Sequence, residues 1–377
     1  LSVGIIIPNI AYRAQELNAT PFQISLLFTL YSLMQFLCAP LWGHLSDRMG
    51  RKPVLLLGLL GNGVGLCLFG ISEGLPHLYA ARGLSGLMSS AALPTAMAYV
   101  ADVTDEAGRG RAMGLMGAAM GLGFIFGPGI GGMLSIFGHG VPFLVAGGLN
   151  LATCALAALV LRESLAPAAR STTRRPFPSP ALAFRSPLLP FYLVAFCVPF
   201  AMAALETTFP LLIQQRFGYA AREMGVMFLF MGTAVFLIQG FLLGRWIQAA
   251  GEETVLIWGF LINAVGFLLV IAATGRASLT AALVVGGVGN QVMRPTNASL
   301  ITKRTTLGQG ASIGIMDSFD SLGRILGPIV AGSLYRPDPR YPDVSAAAIL
   351  ILAALGLSLR ARRKAVGSRA VAPPDGA

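Results

Sequence analysis

Six charged residues stand inside long apolar stretches of this 377-residue chain: Arg82, Glu206, Arg294, Asp317, Asp320 and Arg324. A charge at the centre of a membrane helix costs roughly 2.5–3.5 kcal/mol on insertion scales, so such residues are kept for what they do. A carboxyl group taken out of water favours its protonated form and can trade a proton near neutral pH. Glu206, in Leu205-Glu206-Thr207-Thr208-Phe209-Pro210, suits that chemistry. The competing reading is a glutamate near an outer mouth that simply faces water. Asp317, Asp320 and Arg324 fall at i, i+3 and i+7, on one helix face. Asp320 and Arg324 can pair along the helix, and a purely structural ion pair competes with a proton-coupling role for Asp317 and Asp320. Arg82 and Arg294 can bind an anionic group, or can pair with Glu206 or Asp317. For Arg82 the alternative is a stem that snorkels to the interface. The uncharged candidates for a substrate cavity are Tyr31, Gln35, Gln239, Asn263, Asn290 and Gln291.

The elements that position these groups are helices in a bilayer. Only 11% of residues are charged and 55% are hydrophobic, against about 25% charge in a soluble domain. A span needs about 20 mostly apolar residues. Such stretches predict twelve spans, at 1–12, 22–42, 53–72, 76–101, 111–137, 141–161, 188–213, 222–246, 254–274, 278–302, 308–334 and 344–361. The first is short, which predicts a helix whose start precedes this chain; no basic region or small-residue cleavage site suggests a signal peptide. The expected organisation is an N-terminal six-helix bundle over 1–161, a Pro-, Arg- and Ser-rich cytoplasmic linker over 162–187, a C-terminal six-helix bundle over 188–362 and a polar cytoplasmic tail, expected to be disordered, over 363–377.

Charge sets the expected orientation. Most of the 27 Lys and Arg, among them Arg48, Arg51, Lys52, Arg109, Arg111, Arg170, Arg174, Arg175, Lys303 and Arg304, fall in segments on one side. The positive-inside bias then puts both termini in the cytoplasm. The net charge of +11 is read through topology and the lipid bilayer, not through nucleic acid. Cys38, Cys67, Cys154 and Cys197 all lie in apolar stretches and read as packing residues. The three histidines, His44, His77 and His139, have no ligand spacing, and no nucleophile–base pair or phosphate loop is visible. No metal, cofactor or enzymatic activity is expected.

The chain repeats itself. Residues 121–134, GLGFIFGPGIGGML, match 321–334, SLGRILGPIVAGSL, at seven of fourteen positions. The matches include Gly123/Gly323, Gly127/Gly327, Pro128/Pro328 and Gly132/Gly332. An offset of 201 pairs Gly43 with Gly244, Gly50 with Gly251, Gly86 with Gly287 and Pro94-Thr95 with Pro295-Thr296. An even number of helices per half puts both halves the same way up.

Between the second and third spans stands Gly43-His44-Leu45-Ser46-Asp47-Arg48-Met49-Gly50-Arg51-Lys52-Pro53. It resembles the signature loop of the major facilitator superfamily, G-x-L-x-D-R-x-G-R-K. Gly43 and Gly50 would permit a tight cytoplasmic turn. Arg82-Gly83-Leu84-Ser85-Gly86 looks like the family's fourth-helix motif. Asp102, followed by Arg109 and Arg111, looks like its fourth-to-fifth-helix loop, and Gly123 to Gly132, with Pro128, resembles the fifth-helix motif of antiporters. The resemblance implies an all-α membrane protein of twelve transmembrane helices in two parallel six-helix repeats, with helices one, four, seven and ten lining a central cavity. It implies that Asp47, Arg51 and Asp102 form a cytoplasmic cluster that latches the halves. Gln248 stands where the second half would carry the matching acid, which predicts a degenerate second latch. The seventh span around Glu206 is similar to that of vesicular amine transporters, and Asp317 matches an acidic position in their eleventh helix.

The resemblance to the twelve-helix drug:proton branch implies a secondary transporter that exports an amphipathic small molecule against protons by alternating access, as a monomer in a bacterial inner membrane. The rival reading is an importer or symporter of a small, anionic or sugar-like metabolite on the same fold.

Overall fold

In the computed structural model, residues 1–165 and 180–370 are described. Arg170, Arg174 and Arg175, with most of the expected linker and the end of the tail, lie outside them. The opening run forms two short helices, α1 (Ser2–Ile6) and α2 (Asn9–Glu16), parted at Ile7 and Pro8. Five long helices follow: α3 (Pro21–Met49), α4 (Arg51–Ile71), α5 (Leu75–Val103), α6 (Glu106–Leu134) and α7 (Val141–Val160). Beyond the linker come α8 (Leu189–Thr207), α9 (Phe209–Phe217), α10 (Ala221–Phe241), α11 (Leu243–Ala250), α12 (Glu252–Ala272), α13 (Arg276–Arg304), α14 (Gln309–Tyr335) and α15 (Tyr341–Ala370). Among the described residues there is no strand.

Nine helices are long and apolar enough to cross a membrane, among the described residues and counting α8 with α9 as one. α13 and α14 have the length but carry the polar run Asn290-Gln291 with Arg294, and Asp317, Asp320 and Arg324. Large apolar side chains project outward where a soluble protein would be polar: Phe137 is 77% exposed and Leu159 86%. An apolar exterior of this kind is a surface made for lipid.

Several sequence expectations are corrected. Gly43 lies inside α3, so the turn of the signature loop is made at Gly50 alone, at φ 108°. That backbone region is open to glycine and strains other residues. The seventh span is broken at Thr208, just ahead of Pro210. A proline disfavours helical geometry in the residue before it and has no N–H for the carbonyl four residues back, which here is that of Glu206. The eighth span breaks at Leu242. α15 continues through the basic stretch to Ala370, where a disordered tail was expected; Ala, Arg and Lys are good helix formers.

Two compact units can be distinguished. The first comprises Leu1–Phe177, Met202–Thr233 and Arg324–Pro342. Inside it, α6 lies so close to α1 that a methyl group on Gly127 would meet the Cα of Gly4 at 2.6 Å, and one on Gly132 would sit 3.1 Å from the Cα of Gly225 in α10. Small residues permit that approach between membrane helices. Tyr12 Oη donates to the carbonyl of Pro210 at 3.4 Å. The unit also takes in the end of α8, all of α9, the start of α10 and the end of α14. The second unit comprises Pro178–Ala201, Ala234–Gly323 and Asp343–Ala377. Its principal seam is α12 against α13, where Gly259 faces Val292 and Gly266 faces Gly286. The α4–α5 seam of the first unit has Gly58 facing Ala91 and Gly65 facing Ser85.

Candidate functional site

Three polar clusters hold most of the candidate residues. In the first unit, Arg82 sits about two turns into α5 and is only 5% exposed. Its guanidinium lies over the Tyr31 ring of α3 at 4.0 Å from the centroid, with the Phe28 ring at 5.8 Å. Gly86, one turn further along α5, lets the two backbones approach, because any Cβ there would press on the Tyr31 backbone. Gln35 Nε2 donates to Tyr31 Oη and to Ser89 Oγ, each at 3.1 Å. Arg82 Nε has no hydrogen-bond partner, and the Glu206 carboxylate acts electrostatically on the guanidinium. Arg82, Tyr31, Gln35 and Glu206 therefore share one locality. Ser89 joins them unannounced; its one signal is its place two turns after Arg82, on the same helix face.

In the second unit, Arg294 Nη2 of α13 donates to Asp317 Oδ1 of α14 at 3.2 Å, and these side chains are 60% and 50% exposed. Gln291 is exposed and Asn290 half-buried nearby on α13. Asp320 lies one turn beyond Asp317 and is half-buried. Gln239 is exposed on α10. Asn263, expected in the cavity, is 2% exposed and lies in the α12–α13 seam against Gly286 and Gly289, its Nδ2 without a hydrogen-bond partner.

The third cluster is the signature loop. Arg51 Nη1 donates to Asp47 Oδ1 at 2.6 Å and to Ser46 Oγ at 3.0 Å, and Arg51 Nε donates to Asp102 Oδ2 at 3.1 Å. Arg48 and Arg111 are exposed. Glu163, which no motif singled out, accepts the backbone N–H groups of Arg51 at 2.8 Å and Lys52 at 3.2 Å. Its neighbour Ser164 donates to Asp102 Oδ2 at 3.1 Å. In the second half Gln248 carries no charge, and at the facing ends of α12 and α13 Lys303 pairs with Glu252 at 2.8 Å and Arg304 pairs with Glu253.

Among the described residues no group of His, Cys, Asp and Glu is arranged to hold a metal ion.

Residues 1–249 and 234–374 match the family Major Facilitator Superfamily. The chain belongs to that superfamily. As a major facilitator protein it is a multi-pass membrane transporter and not an enzyme. It is 28% identical over 369 residues to multidrug resistance protein 1 of Bacillus subtilis (strain 168), covering 97% of this chain and 93% of the relative. It is 31% identical over 353 residues to the class C tetracycline resistance protein of Escherichia coli, covering 89% and 86%. Its fold is similar to the crystal structure of the human organic anion transporter MFSD10 (TETRAN), with a TM-score of 0.67 at 24% identity, covering 94% of this chain and 97% of that one. The facilitator's relatives thus include drug-resistance proteins across almost its whole length.

Proposed function

We propose that this facilitator is a proton-coupled exporter of amphipathic small molecules that works by alternating access. The observation that carries the reading is Arg82, buried in a membrane helix, stacked on Tyr31 and under the field of Glu206. An ionised Glu206 supplies opposite charge to the buried cation. Protonating Glu206 removes that charge and makes the Arg82 site less tolerable, so proton binding and the state of the cavity become linked. A substrate with a cationic or polar head, entering beside the Tyr31–Gln35–Ser89 chain, would compete with the same proton. The names of the bacterial relatives, drug and tetracycline resistance proteins, support export.

In this reading the twelve spans form two parallel six-helix repeats. Support comes from α4 and α12, both 21 residues long, and α5 and α13, both 29, each pair starting 201 residues apart. The Asp47–Arg51–Asp102 cluster is the latch of the cycle, and the glycines of α6 with Pro128, and Gly327 with Pro328 in α14, allow helices to repack. Both termini are cytoplasmic, and a monomer in a bacterial inner membrane suffices.

Import or symport of an anionic metabolite is the second reading, favoured by Arg294. Its partner Asp317 is half-exposed, and an exposed pair is worth only about 0–1 kcal/mol, so a substrate carboxylate or phosphate can displace it. Charges open on both helices need water beside them, because facing hydrocarbon would cost each several kcal/mol. Purified protein in liposomes under an imposed pH gradient separates the readings. Export predicts proton release when drug is added and loss of coupling in Glu206→Gln. Proton uptake with an anionic substrate would replace the first reading by the second.

A further inference from the structure

The two halves carry the same ion pair with its charges exchanged. α4 and α12 are each entered from a glycine of positive φ, Gly50 and Gly251, and each begins with two charged residues. In α4 these are Arg51 and Lys52; in α12, 201 residues on, they are Glu252 and Glu253. The partners stand at the last turn of the following long helix, Asp102 in α5 and Lys303 in α13, again 201 apart.

Exchange of sign changes the energetics, because a helix presents partial positive charge at its N-terminus and partial negative charge at its C-terminus. Glu252 and Glu253 at the start of α12, and Lys303 and Arg304 at the end of α13, each sit in a favourable field. Glu252 also accepts from Ser299 Oγ at 2.6 Å. Arg51, Lys52 and Asp102 sit in the opposite field, against both helix ends. Something else must offset that, and Gly50 has no side chain to cap α4. The offset comes from the first residues after α7. Glu163 lays its carboxylate across the α4 N-terminus, one oxygen on the Arg51 N–H and the other on the Lys52 N–H. Any Cβ at Gly50 would strike that carboxyl group. Burial pushes the Glu163 carboxyl up, but the N–H groups of Leu165, Arg51, Lys52 and Ser164 together hold it below the ordinary glutamate value of 4.5. Ser164 meanwhile donates to Asp102.

We infer that Glu163 is the positioning residue of the latch: it neutralises the N-terminus of α4 so that Arg51 can stay between Asp47 and Asp102, whereas the α12–α13 pairs are self-sufficient and act as a fixed strut. This rests on the reading of Asp47, Arg51 and Asp102 as a latch, and it adds a dependence of that latch on the segment that opens the linker.

The test is Glu163→Gln, which keeps shape but removes the charge and one of the two acceptors, measured as transport rate per folded protein in liposomes. The expected loss is about two- to fivefold. In an Asp47→Asn background, Glu163→Gln should cause no further loss, because both changes release the same arginine. Glu163→Asp, which retains the anion, should recover part of the rate. An unchanged rate in Glu163→Gln, or losses that multiply with Asp47→Asn, overturns the inference while leaving the latch standing. An Asp47→Asn protein with full activity would instead remove the latch reading itself. If Glu163→Gln does not fold, Glu163→Asp with Asp47→Asn makes the same cycle: a partial loss in Glu163→Asp that vanishes in the Asp47→Asn background supports the inference, and an unchanged rate or losses that multiply reject it.

Discussion

The guanidinium of Arg82 lies 4.0 Å from the centre of the Tyr31 ring, and the hydroxyl of that ring accepts a hydrogen bond from Gln35. Two contacts of different kinds thus meet on one tyrosine. A desolvated cation over an aromatic face is worth about 2 kcal/mol, so Tyr31→Leu should lower transport by about tenfold or more, while Tyr31→Phe keeps the ring and should lose less than about fivefold. Drug efflux from cells expressing each variant at matched levels distinguishes the two.

Glu206 should set the response to protons. Glu206→Gln mimics its protonated form, and it is expected to flatten the dependence of export on the imposed pH gradient while substrate binding to purified protein persists within about threefold. Retention of the wild-type gradient dependence would remove Glu206 from the coupling.

Glu163 behaves differently. Its folded form holds the proton less tightly than a free glutamate, so the stabilisation it gives is complete above about pH 4.5 and is lost as pH falls through its lower folded value. Thermal unfolding of Glu163→Gln and wild type should therefore differ by a constant margin between about pH 6 and 8 and converge only in more acidic buffer. A margin that changes across the neutral range would contradict the bonding described.

The Arg294–Asp317 pair is open, so Asp317→Asn should leave the melting temperature within about 2–4 °C of wild type. Its effect should fall on substrate choice. Competition assays with cationic and anionic compounds are expected to shift toward anions, since Arg294 is then left for the substrate.

Gly127 tests packing. Ala at this position brings a methyl group against the Gly4 backbone, and overpacking of this kind costs about 1–3 kcal/mol. Gly127→Ala should melt several degrees lower in a fluorescence-based unfolding assay, whereas Gly114→Ala, where a Cβ meets nothing within 4 Å, should not.

The helical membrane architecture was legible because hydropathy is summed over 20 residues and survives local errors. Helix breaks were less so. Pro210 and Pro8 mark broken helices, yet Pro40, Pro94, Pro128 and Pro295 lie within continuous ones, since neighbours in a membrane can re-satisfy a freed carbonyl. Arg82 and Glu206 announced themselves by charge in an apolar setting. Ser89 did not, being one small residue among many, and Asn263 was ambiguous because a buried amide can serve a helix seam as well as a cavity. Glu163 lay just past a span, where an acid attracts no notice until its two N–H partners are seen. The exchanged pairs were present at the offset of 201, but they are found by comparing sign, not identity.

The glycine seams have a last consequence. Where Gly266 faces Gly286 the backbones lie against each other, and where Gly65 faces Ser85 only a small hydroxymethyl group stands between them. In the proposed cycle the α4–α5 and α12–α13 pairs would each travel as a solid plate. Flexing would then fall at helix interruptions such as the one at Thr208, two residues from Glu206, so that a change of charge there would reach a place where the chain can bend.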